Sequence, residues 1–155
     1  MKEKKTNAIR ILESKGLSFV SHEYDENITD GVLVAEALNA ERERVFKTLV
    51  TEGSDLQHYV FVIPVGQTLS LKKAAKCVGV KSVSMLKQKD LFPLTGYIHG
   101  GCSPLGMKKQ FRTVFDETVI LYDSIYFSAG RRGMNVECES RVVSEFGFEV
   151  GDLVE

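Results

Sequence analysis

Arg44-Val45-Phe46-Lys47-Thr48-Leu49-Val50, the turn signal Gly53-Ser54-Asp55 and Tyr59-Val60-Phe61-Val62-Ile63-Pro64-Val65 follow one another and read as a β-hairpin. By strand periodicity Val45, Lys47 and Leu49 share one face, and Phe46, Thr48 and Val50 share the other. A lysine inside so apolar a strand stands out. Lys47 either lies on a face open to water or points into a cavity. In a cavity it must find an anion or lose its charge, because burying an unpaired ammonium is costly.

Upstream of the hairpin, Ala8, Ile9, Ile11 and Leu12 recur at helical spacing between Thr6 and Lys15, and Gly16 supplies the stop. Leu17 to Tyr24 alternates as a strand does. Asp25 to Asp30 reads as a loop, with Asp30 as N-cap of a helix carrying Val32, Val34, Ala35 and Leu38 and ending at Asn39. Downstream, Thr68 to Val78 is a basic amphipathic helix with Lys72, Lys73 and Lys76 between its apolar residues and Gly79 beyond its end. Ser82 to Phe92 reads as a strand followed by a short helix.

Further strands are expected at Thr113 to Phe115, Val119 to Leu121, Ile125 to Ser128 and Asn135 to Cys138, with a last short helix from Ser140 to Phe146. Short strands interrupted by helices, without regular strand-helix alternation, indicate an α+β fold with a mostly antiparallel, strongly curved sheet. A doubly wound nucleotide-binding fold is disfavoured. The 155 residues suit one domain, 1–155, with a substantial core.

Twenty Lys and Arg against 21 Asp and Glu give a formal net charge of -1, so no global positive field points to a nucleic acid, and any RNA contact must use a local patch. DNA binding and membrane association are not expected. The polar start is not a signal segment, and no apolar run approaches a membrane span. Cys77, Cys102 and Cys138 are an odd number without a CxxC pair, arguing against disulfides and structural zinc and for a reducing cytoplasm. His22, His58 and His99 are scattered and no HExxH pattern occurs, so neither a metal nor another cofactor is expected.

Two glycine-rich stretches are candidates for chemistry. Gly96-Tyr97-Ile98-His99-Gly100-Gly101-Cys102-Ser103-Pro104-Leu105-Gly106 is too broken for a regular element and too apolar for a linker; it either presents backbone N–H groups to an anion or carbonyl, or is a structural turn. In Ser128-Ala129-Gly130-Arg131-Arg132-Gly133 the arginines could meet phosphate or simply be solvated. Cys102 is either a nucleophile or a small buried hydrophobe.

In order and spacing, these stretches, together with Lys4-Lys5-Thr6-Asn7-Ala8 and Leu71-Lys72-Lys73-Ala74-Ala75, resemble the YbaK/EbsC family. The K-T-L strand, the GGxSPxG loop and the SxGxRG segment carry the resemblance jointly. It implies a mixed, mostly antiparallel, barrel-like sheet flanked by helices, and a deacylase that removes cysteine from mischarged tRNA, Cys-tRNA(Pro) and Cys-tRNA(Cys). Such editing exists because a synthetase pocket rejects smaller amino acids poorly by binding alone.

The resemblance assigns catalytic positions to Lys47, Gly100 and Gly101, and substrate contacts to Tyr24, Ser103, Ser128, Gly130, Arg132 and Asn135. Lys47 would hold the terminal adenosine or phosphate and orient the ester. The substrate's own thiol would attack, releasing a cyclic thiolactone. The implied partners are the cysteine-bearing acceptor end of tRNA and prolyl-tRNA synthetase. Ala129 stands in place of a glycine and Asn135 in place of an aspartate, which bears on substrate choice, while Cys102 stands in place of an aliphatic residue, so the family lends its reading as a nucleophile no support. An Ala- or Ser-tRNA deacylase and a silent module binding aminoacyl-tRNA or a synthetase are the alternatives.

Overall fold

Residues 5–155 are described by a computed structural model. Strands β2 (Phe46–Gly53) and β3 (His58–Pro64) form the expected hairpin, with Lys47 opposite Ile63 and Thr48 opposite Val62. Its two faces serve different cores. Phe46, Val50, Val60 and Val62 pack in a cluster with Leu12, Phe127 and Val136. Tyr59, Phe61 and Ile63 pack with Ala74, Ala75 and Val83 in a second cluster, against which Leu49 rests.

Helix α1 (Asn7–Ser14) is capped by the Thr6 hydroxyl, which accepts from Ile9 N, and buries Ala8, Ile9 and Leu12. Strand β1 (Phe19–Glu23) leads to α2 (Gly31–Ala37), where the Asp30 carboxylate caps Leu33 N. Asn39 ends this unit with a left-handed φ of 54°. Helix α3 (Leu71–Val78) starts later than its apolar pattern suggests: Ser70 caps it, and Leu69 is taken instead by a bridge to Val154. Strand β4 (Val83–Met85) and α4 (Gln88–Thr95) follow.

Strands β5 (Arg112–Asp116), β6 (Ser124–Arg131) and β7 (Met134–Glu139) lie where expected, and α5 (Val142–Glu145) falls within the expected last helix but is shorter than it. Val119 to Leu121 is not a strand. Residues Glu117–Leu121 form a 3-10 turn because the Asp116 carboxylate accepts from Thr118 N and from its hydroxyl, curling the chain and leaving Ile120 and Leu121 exposed. A short strand not expected from the sequence, β8 (Glu149–Gly151), joins β5 in parallel. It is secured by the paired bonds from Arg112 to Glu149 at 2.6 and 2.9 Å.

The α+β architecture and its mixed, mostly antiparallel pairing match expectation. The strands divide into sheets ordered β1-β7-β6 and β4-β2-β3-β5-β8, parallel only where β5 pairs with β3 and β8. A bridge between Val45 and Tyr126 links the two sheets instead of full barrel closure. No described helix is long and apolar enough to cross a membrane.

Phe61 lies at the centre of β3 and is fully buried. Phe61→Ala should lower unfolding free energy by about 3–5 kcal/mol in denaturant titrations.

Candidate active site

Strand β2 is only partly covered along the edge opposite β3. Strand β4 pairs with Thr51 to Gly53, Leu86 N reaches Val50 O, and the bridge to Tyr126 begins at Val45. Between these attachments the edge is open. Val65 N donates to Val45 O and Gly53 N to Gln57 O, so the odd-numbered residues of β2 bond to β3, and alternation turns the backbone N–H and C=O of Thr48 toward the open edge.

A cavity of about 320 Å³ lies there. Tyr24, Lys47, Gly100, Ser128 and Asn135 all line it, with Thr48 and Asp30 beside them. Positions spread from 24 to 135 in the sequence thus meet at one strand edge.

Lys47 stands between Val45 and Leu49 and opposite Ile63. Half-buried among them, its ammonium is desolvated and its pKa lowered, partly offset by the charge of Asp30. Among the described residues no carboxylate makes a direct ion pair with it. Thr48 was not expected as a site residue, yet its Oγ1 is buried without a hydrogen-bond partner. A polar side chain on an otherwise apolar strand face was the available signal, and an orphaned hydroxyl beside a cavity is suited to a ligand.

The Gly-rich loop is wedged between two other segments. A Cβ on Gly100, whose φ is +85°, would lie 2.8 Å from Thr29 Cγ2. A Cβ on Gly101 would lie 2.9 Å from the backbone nitrogen of Arg132. No side chain fits at that second contact because the obstacle is backbone. Arg132 Nε donates to His99 O at 2.8 Å, and the Tyr97 hydroxyl donates to Leu105 O.

Tyr24 donates to Asn135 Oδ1 at 3.3 Å, and burial raises its pKa. Ser128 Oγ accepts from Gly130 N at 3.2 Å, fixing the hairpin beside the cavity. Gly101, Gly130 and Arg132 support the wall instead of lining it. Ser103 is fully buried, and its Oγ accepts from Leu105 N at 3.3 Å within the loop. Cys102 does line the cavity, but burial pushes its thiol up to about 12, so it stays protonated and a poor nucleophile near neutral pH.

The family model of the aminoacyl-tRNA editing domain matches residues 25–146. The chain belongs to this aminoacyl-tRNA editing domain family. The editing domain is 48% identical over 137 residues, 87% of this chain and 84% of the other, to an Enterococcus faecalis protein named "Putative Cys-tRNA(Pro)/Cys-tRNA(Cys) deacylase EbsC". Its fold superposes with a TM-score of 0.83 at 25% identity on "a putative trans-editing enzyme for prolyl tRNA synthetase", covering 99% of each chain. The hypothetical protein APE2540 has the same fold, with a TM-score of 0.89 at 22% identity over 97% of this chain and 100% of that one.

Thr48→Val removes the orphaned hydroxyl and should raise stability by about 1–2 kcal/mol in denaturant titrations. Lys47 carries a desolvation cost while charged, a cost present below its lowered pKa and lost as pH rises toward a lysine's ordinary 10.5. Lys47→Gln should therefore unfold at a higher temperature than the native protein near neutral pH, with the difference vanishing by pH 10.5.

Proposed function

We propose that the chain, acting as one editing domain over residues 1–155 in the cytoplasm, hydrolyses or otherwise cleaves the aminoacyl ester of mischarged tRNA, with cysteine on tRNA(Pro) or tRNA(Cys) as the preferred substrate. The observation that carries this reading is Lys47, a desolvated cation that makes no direct ion pair with a carboxylate among the described residues and lies at an open strand edge. Such a cation favours an anion: a phosphate of the acceptor end in the ground state, or the negative charge that develops on the ester oxygens. Backbone groups of Thr48 at the edge and the Gly100 wall supply directional contacts around it.

The nucleophile in this proposal comes from the substrate. Its thiolate attacks the ester carbonyl carbon, the bond to the terminal ribose oxygen breaks, that oxygen takes up a proton, and cysteine leaves as a thiolactone. Two features support this. The Cys102 thiol is held protonated by burial, and among the described residues no hydrogen bond joins a cavity hydroxyl or thiol to the His99 ring. The protein's contribution is then positioning, desolvation and electrostatics.

With a net charge of -1 and Lys73 already bonded to Asp152 and to Val154 O, the isolated protein has modest means of attracting a polyanion. Recruitment to a tRNA held by prolyl-tRNA synthetase follows as part of the proposal.

The test is release of amino acid from Cys-tRNA(Pro), Cys-tRNA(Cys) and Ala-tRNA(Pro). Cysteine should be lost fastest, and Lys47→Ala should slow its loss about a hundredfold or more. Preferential release of alanine would shift the substrate assignment, and no release from any of the three would overturn the deacylase reading.

A further inference from the structure

An aminoacyl ester brings two opposite charges to its site: the phosphates of the nucleic acid and the α-ammonium of the amino acid. Lys47 suits the first and repels the second. Asn135 does not meet the need, because an amide carries no charge and its Oδ1 already accepts from Tyr24. Among the described residues lining the cavity, Asp30 supplies a carboxylate and no other does.

The placement of Asp30 is held on both sides. Its Oδ2 accepts from Leu33 N at 3.2 Å as the cap of α2, which leaves Oδ1 without a protein donor among the described residues. The next residue, Gly31, is pressed so closely on β3's exit that a Cβ there would lie 2.7 Å from Val65 Cβ. This contact ties the start of α2 to the hairpin that carries Lys47. Asp30 and Lys47 line the same cavity without a direct ion pair between them among the described residues, and the charge of Asp30 only partly offsets the lowering of the Lys47 pKa, so each group remains available to a ligand.

We propose that Asp30 binds the α-ammonium of the aminoacyl ester, so that Asp30 and Lys47 orient the substrate as a dipole across the cavity. The proposal rests on the editing function above and adds its selectivity: a free amino group is required, and an N-acylated aminoacyl ester is disfavoured.

The probes are 3′-cysteinylamino-3′-deoxyadenosine, whose amide linkage resists cleavage, and its N-acetyl derivative. Binding of each is measured by calorimetry to the native protein, to Asp30→Asn and to Asp30→Ser. Asn and Ser also cap helices, so either variant preserves α2. The native protein should favour the free amine, and both variants should bind it about tenfold or more weakly while binding the N-acetyl compound as before. Retention of the native preference in the variants, equal loss of both compounds, or no preference in the native protein would overturn the assignment. A native protein that binds the free amine through Asp30 yet releases no amino acid from tRNA would refute the deacylase reading and leave this one standing.

Discussion

The site depends on a strand edge that the fold leaves unpaired. β2 is bonded along one side by β3, held at its far end by β4 and at its near end by the bridge to Tyr126. Between these attachments its backbone groups have no neighbouring strand. An open edge ordinarily invites association with other chains. Here the β1–α2 connection, the Gly-rich loop and the β6–β7 hairpin surround it, so the edge becomes the floor of a cavity. Lys47 and Thr48 are costly to the fold at this place, one desolvated and the other lacking a hydrogen bond, a pattern typical of functional positions.

Close backbone approach holds the walls in place. Gly101 against Arg132, Gly100 against Thr29 and Gly31 against Val65 are contacts that a side chain would push apart. They join segments from four regions of the chain without side-chain interlocking, and so keep the cavity open while keeping its walls close. Tyr97 stiffens the loop through its bond to Leu105 O, and a Cβ on Gly130 would lie 3.1 Å from its ring.

Much of the fold was legible in the sequence, because the hairpin, α1, α2 and the paired strands β6 and β7 each carry a local pattern of apolar spacing, caps and turns. The errors fell where local pattern is outvoted. Val119 to Leu121 has the apolar content of a strand, but Asp116 bends it into a turn. Glu149–Gly151 is too short to announce itself and pairs only because β5 and Arg112 are waiting for it.

The site was legible in a different sense. Lys47 could be singled out as a cation in an apolar strand, and the glycines as places where backbone must pass close to something, and resemblance to a family suggested that these belong together. What local pattern could not show is which wall each residue serves. Ser103 turns inward to its own loop, and Arg132 holds the His99 carbonyl. Asp30 looked like an ordinary helix cap, and it is the tertiary packing, with Gly31 close against Val65, that sets it in the cavity wall. The sequence by itself determined most of the strands and helices and the unusual lysine, since these follow from periodicity and the chemistry of neighbouring residues. The tertiary structure alone decided the open edge and the meeting of opposite charges in its cavity, because both arise from contacts between separate segments of the chain.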